Sequence, residues 1–154
     1  MTEYWDLLGE NREPLGLLHQ RGEPMPAGAR HLCVEVITLW NGRMLTTRRH
    51  PNKRGGGYWE VTTGSALAGE DSRTAALREL YEETGITAEK EALIPFDRVI
   101  TPRIFSDTYL LILNEKPEIT LQSTETVDYA WLTPEEMLER CRSGIVIGHL
   151  AQRF

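Results

Sequence analysis

Apolar and polar positions alternate in short runs along much of this chain, and only two stretches turn helical. "YWDLLGE" and "PLGLLHQ" are brief strand-like pieces on either side of the turn "ENRE", which predicts an N-terminal β-hairpin. "RGEPMPAGAR", rich in Pro and Gly, reads as a loop. "HLCVEVITLW" is dense in β-branched residues, and Asn41-Gly42 separates it from "RMLTTRR". Asn-Gly between two strand patterns is the strongest short hairpin signal. "PNKRGGG" is a second loop, whose glycines let the backbone approach a ligand, and "YWEVTT" is a short strand leading to Gly64. Later, "ALIPFDRVI", "FSDTYLLILN" and "VDYAWLT" read as strands. Thr133, Pro134 and Glu136 stand at N-cap, N1 and N3 of a capping box, which starts a helix running to about Arg142. The tail "IVIGHLAQRF" fits a strand or a short helix. Many strands with two clear helices predict an α+β fold or an α/β sandwich.

The first helix follows Gly64. Asp71 or Ser72 can cap its start, and Gly85 is placed to end it in a left-handed conformation. At about 100° per residue, with Arg78 as origin, Glu82 falls near about 40°, Glu79 near about 100° and Glu83 near about 140°. Ala75 and Ala76 fall on the same side, while Leu77, Leu80, Tyr81 and Thr84 fall on the other. The wheel therefore predicts a core side and a carboxylate side floored by two alanines, with room above them for a ligand. Like charges at i, i+3 and i+4 destabilise a helix by a few tenths of a kcal/mol per pair, about what opposite charges would gain. A hard divalent cation, which takes oxygen ligands, would relieve that conflict. The wheel alone leaves a metal site and a solvated acidic face both open.

The 154 residues fit one domain, 1–154, with residues 1–30 as hairpin and loop and 31–154 as core. No run approaches the ~18 apolar residues of a membrane span. The acidic, polar N-terminus does not read as a secretory signal, and a cytoplasmic location is the expectation. Cys33 and Cys141 have no metal-type spacing and read as buried or incidental thiols. A net charge of −6 argues against binding a nucleic-acid polymer. It leaves room for a small anion held locally, since Arg48 to Arg54 form a compact basic segment opposite the acids of residues 70–91. From charge alone an ordinary surface loop is the simpler reading of that segment.

The whole stretch spells G-x5-E-x7-R-E-L-x-E-E-x-G-I, with Gly64, Glu70, Arg78, Glu79, Leu80, Glu82, Glu83, Gly85 and Ile86 at the defining positions. Nine spaced positions over 23 residues resemble the Nudix box of the Nudix hydrolase family. The order of strands and late helix also resembles the Nudix fold, an α/β/α sandwich in which helices flank a mixed β-sheet.

The resemblance implies hydrolysis of a diphosphate linkage in a small nucleoside diphosphate-X substrate by water attack on phosphorus, with Mg²⁺ or Mn²⁺. Glu82 and Glu83 would be the main metal ligands, and Glu79 a ligand or the general base. Arg78 would orient these carboxylates, together with Glu70. Gly64 would shape the loop before the helix, and the Thr63 carbonyl would face the metal. Glu125 would be a later-loop acid at the site, with Asp128 as its rival. Arg48, ranked first because it ends a strand, and Arg49, Lys53 and Arg54 would meet substrate phosphates. Trp40, Tyr58, Trp59 and Phe105 are candidate stacking surfaces, with core packing the simpler fate of Trp59 and Trp40. A homodimer is compatible with the resemblance.

The chain departs from nucleoside-triphosphate-cleansing members in having Thr63-Gly64 where they carry Gly-Gly, and Leu67 where they carry a further Glu. Its N-terminal half is similar to the branch containing isopentenyl-diphosphate isomerase, in which a histidine resembling His31 helps bind metal. That isomerase's catalytic cysteine has no counterpart in "WEVTTGS". Isomerisation and non-catalytic nucleotide binding are the alternatives to hydrolysis.

Overall fold

The computed structural model describes residues 1–154. A two-stranded sheet, β1 (Tyr4–Leu8) and β2 (Pro14–Gln20), precedes a seven-stranded mixed sheet. The larger sheet is built on β3 (His31–Trp40) and β8 (Ile104–Leu113), which run parallel in unbroken register from His31↔Ile104 to Trp40↔Leu113. β7 (Ile94–Ile100) borders β8 antiparallel. β4 (Arg43–Arg49), β5 (Trp59–Glu60), β6 (Thr62–Ser65) and β9 (Thr126–Leu132) complete it.

The period of two along β3 distributes the core. Val34 and Val36 face α1 (Ser72–Thr84) and join Leu80, Tyr109 and Leu111 in one cluster. Ile37 faces the other way and joins Trp59, Val61, Leu132, Met137 and Leu150 under α2 (Pro134–Arg142) and α3 (Gly148–Ala151). The result is the predicted mixed sheet between helices. Asn41 and Gly42 both take positive φ (48° and 71°), as a tight primed hairpin turn requires. The capping box of α2 closes both ways: Thr133 accepts from the Glu136 amide, and Glu136 accepts from the Thr133 amide. The tail does two things in turn. Val146 bridges Trp59 in a strand-like pairing, and Gly148 then starts the short α3.

Two features set the site. First, the β3–β4 hairpin forks. The two strands pair only at Leu39↔Met44 and Trp40↔Arg43. Beyond that point β3 takes β6 as its neighbour, whereas β4 takes β5 and β9. Residues 59–65 thus cross from one arm of the fork to the other. Second, the N-terminal hairpin is fastened to the loop before α1. The Ala68 amide donates to Tyr4 O (2.8 Å), and the Gly69 amide donates to Asp6 Oδ2 (2.7 Å). Trp5 stacks on His31, ring centroids 3.9 Å apart and 9° from parallel.

The helical wheel misplaced two groups. Ala75 and Ala76 are fully buried in the core, so they let α1 press close to the sheet and leave no ledge for a ligand. Tyr81, placed on the core side, is exposed.

Candidate active site

Asp71 caps α1 by accepting from the Thr74 amide (2.8 Å), and this bond and the Lys90 ammonium hold its carboxyl low, at about 2. At the other end Gly85 closes the helix at φ 74°, where a side chain would be strained and its Cβ would stand 3.0 Å from Thr120 Cβ. Between the caps Arg78 organises the acids. Its Nε and Nη2 donate to the two oxygens of Glu70 (2.7 and 3.0 Å), and Nη2 also donates to Ser65 O. Its Nη1 donates to Glu79 Oε1 (2.9 Å) and Glu82 Oε2 (3.1 Å). Glu70 in turn accepts from the Leu67 amide, so it anchors the loop and Arg78 together and lies behind the cleft.

Gly64 explains how close Glu79 comes to β6. A Cβ on Gly64 would stand 2.0 Å from Glu79 Cδ and 2.1 Å from its Oε1. The glycine gives its space to a carboxylate. Burial raises the Glu79 pKa, and Arg78 opposes that shift. One turn on, Glu83 is 5% exposed and its Oε2 has no hydrogen-bond partner. Burial, together with the nearby Glu60 and Glu79, pushes its pKa well above the carboxylate range.

These side chains open on a cleft of about 290 Å³. Thr63, Gly64, Glu79, Glu82 and Glu83 form its floor. Arg49 at the end of β4 and Lys53 in the following loop form a basic wall, and Lys53 is ion-paired to Glu125. Burial lowers the Lys53 pKa, and Arg49 adds to that effect. The hairpin residues Glu3 and Arg21 close the remaining side.

The fold therefore brings together most of the residues expected at the site. Arg48 is a correction: its side chain is exposed outside the cleft, with Nε donating to Gly57 O (3.1 Å). A register shift in the β4–β9 pairing falls between Arg48 and Arg49 and breaks the strand's alternation there. Asp128 pairs with Arg48 across the sheet and also lies outside the cleft. None of the four candidate stacking residues lines the cleft. Trp59 and Phe105 are buried, Trp40 packs edge-on against Trp131, and Tyr58 is exposed elsewhere. His31 is taken up by the Trp5 stack, and burial lowers its pKa to about 4.

Glu60 was not foreseen. It is 2% exposed and accepts from Arg49 Nη1 (2.7 Å), and burial raises its pKa against the pull of Arg49. Its signal was a charged residue in a strand between Trp59 and Val61, both of which pack on the opposite core. Cys33 and Arg21 also line the cleft, and nothing local in the sequence marks them. Burial keeps Cys33 a neutral thiol.

No three of the acidic side chains converge into a ready ligand cage. Glu79 and Glu82 lean on Arg78 instead. The donor set still fits a hard cation. It is all oxygen, it includes a buried carboxylate oxygen without a partner, and the bare backbone of Gly64 admits the Glu79 carboxylate.

Residues 29–146 match the model of the NUDIX domain family. The chain is 38% identical over 145 residues to an uncharacterised Nudix hydrolase of Listeria monocytogenes, covering 92% of this chain and 85% of that one. It is 34% identical over 129 residues to an RNA pyrophosphohydrolase of Dinoroseobacter shibae, covering 70% and 79%. Among solved structures, DR0079 of Deinococcus radiodurans superposes with a TM-score of 0.78 at 27% identity, over 97% of this chain and 96% of that one.

Proposed function

Because the chain belongs to the NUDIX domain family, we propose that it hydrolyses a diphosphate linkage in a nucleoside diphosphate-X substrate with the help of Mg²⁺ or Mn²⁺. The observation that carries this reading is Glu83. A buried carboxyl with a free oxygen, beside Glu60 and Glu79, is costly to ionise unless a cation neutralises it. Glu82, Glu83 and the Thr63 carbonyl would hold the ion, with Glu79 as a further ligand or as the general base. When bound, such an ion neutralises the diphosphate and acidifies a water molecule.

The protein's own groups do the rest. Arg49 and Lys53 draw the diphosphate along the basic wall, and Arg78 keeps Glu79 and Glu82 in one orientation. As the base, Glu79 would have its pKa raised by burial, the direction that makes a carboxylate a better proton acceptor. Glu125, held by Lys53, is the cleft acid that comes from the loop before β9.

The test is a hydrolysis screen with Mg²⁺ over nucleoside diphosphate sugars, dinucleoside polyphosphates, ADP-ribose, isoprenoid diphosphates and RNA carrying a terminal polyphosphate. Release of phosphate or of a nucleoside monophosphate is expected. Losing one group that stabilises transition-state charge typically costs ~10²–10³-fold in rate, so Glu82→Gln should slow turnover on that scale. A fully active Glu82→Gln enzyme would remove the metal assignment. Proton exchange into isopentenyl diphosphate without phosphate release would restore the isomerase alternative.

A further inference from the structure

The N-terminal hairpin lies outside the stretch matched by the family model, which begins at residue 29. It nevertheless forms one wall of the cleft through Glu3 and Arg21. Its position is fixed from several sides. β1 hydrogen-bonds the loop that precedes α1, Leu8 and Arg30 exchange two backbone hydrogen bonds (2.8 and 2.9 Å), and Leu7 is buried. Arg12 in the hairpin turn donates to the buried Asp107 on β8. An element clamped in this way presents its side chains to the cleft at a defined place.

Three cations line the cleft: Arg49, Lys53 and Arg21. Each is held by one acid. Arg49 holds Glu60 in a buried pair at 2.7 Å, and Lys53 holds Glu125. Arg21 differs from both. Its Nη1 donates to Glu3 Oε2 at 2.6 Å, but the two side chains are 59% and 40% exposed. A pair that exposed contributes little and exchanges readily. A phosphate is a stronger partner for a guanidinium than a single solvated carboxylate, because it offers more charge and a bidentate geometry. The charge of Glu3 also bears on Glu79, and that of Arg21 on Cys33 and Lys53, so the pair faces the same space as the catalytic acids.

We propose that Arg21 is a substrate-binding residue of the cleft, which leaves Glu3 to take one phosphate of the diphosphate opposite Arg49 and Lys53. The hairpin is then a specificity element. It selects substrates whose diphosphate spans the cleft from the basic loop to residue 21, and Glu3 serves as the placeholder for that phosphate. This assignment rests on the proposed diphosphate chemistry for its ligand class, but its test does not depend on turnover.

The probe is α,β-methylene-ADP, whose bridging carbon cannot be hydrolysed, titrated calorimetrically in the presence of Mg²⁺. Arg21→Ala should weaken binding about ten- to a hundred-fold, the range for losing a hydrogen bond to a charged group. Arg21→Lys should recover part of that loss, keeping the charge without the fork. Glu3→Gln should tighten binding, because the competing acceptor loses its charge. If the pair only braced the hairpin, Arg21→Ala and Glu3→Gln would weaken binding together. That result, or an Arg21→Ala variant that binds like the wild type, would overturn the proposal. A wild type that binds the probe but cleaves nothing in the screen would remove the hydrolase reading and leave the Arg21 comparison decisive. A wild type that does not bind the probe would overturn both.

Discussion

Glu83→Gln should make the metal-free protein more stable while removing its response to metal. The side chain is 5% exposed, one oxygen has no partner, and two further carboxylates lie near it. An unsatisfied buried polar group costs ~1–3 kcal/mol. The amide has nearly the same shape and spares the fold both the buried charge and the uptake of a proton at pH 8. For a chain of this length ~1 kcal/mol moves the melting temperature by ~2–4 °C, so a rise of roughly 2–12 °C is expected in chelator at pH 8. The second half of the assay adds Mg²⁺. A ligand at a hundred times its Kd stabilises by ~2.7 kcal/mol, and the wild type should gain on that scale. Glu83→Gln should gain little. A variant that melts lower than the wild type in chelator, or that keeps the full Mg²⁺ shift, would refute the view that Glu83 is a strained carboxylate waiting for a cation.

Two other predictions follow from neighbouring geometry. Gly64 has ordinary backbone angles, so Gly64→Ala should fold normally; its methyl group would displace Glu79, and turnover should fall ~10²-fold or more with little change in melting temperature. His31, with His19 and Arg21 facing it, is held neutral down to about pH 4 against an ordinary value of 6.5. The unfolded chain therefore binds the extra proton between these values. Stability is full above pH 6.5 and falls by up to ~3 kcal/mol as the pH drops to 4. Denaturant titrations at pH 7.5 and 4.5 should show this loss in the wild type and a smaller one in His31→Phe, which keeps a ring for Trp5 to stack on.

Much of the fold was legible because its signals are local. Asn41-Gly42 dictates a turn from its own backbone preferences, and Thr133-Pro134-Glu136 closes a cap within four residues. The acids of α1 were legible for the same reason, since one turn of helix fixes their spacing. What failed depended on neighbours distant in sequence. The wheel gives the angle of Ala75 and Ala76 but not what lies opposite them, and the opposite surface is sheet. Alternation along β4 would choose between Arg48 and Arg49, but the register shift between them cancels the rule at that point. Glu60 is buried because residues 59–65 cross the fork between β3 and β4, a relation no short window contains. Arg21 reaches the cleft only because the hairpin is fastened to the loop before α1.

The parallel pairing of β3 with β8 also has a consequence for how the protein comes to be active. Parallel neighbours cannot be joined by a tight turn, so everything between them must be laid down first. Here that excursion holds β4, β5, β6 and the whole of α1, and with them nearly the entire carboxylate set. A nascent chain that ends before Ile104 has the helix and its acids but lacks the strand that seats β3. Closing so long a loop is slow, and the pairing that closes it is among the most distant in the sequence. Catalytic competence should therefore arrive late in refolding, well after the helical signal of α1, with the order of events set by topology rather than by the strength of the site's own contacts.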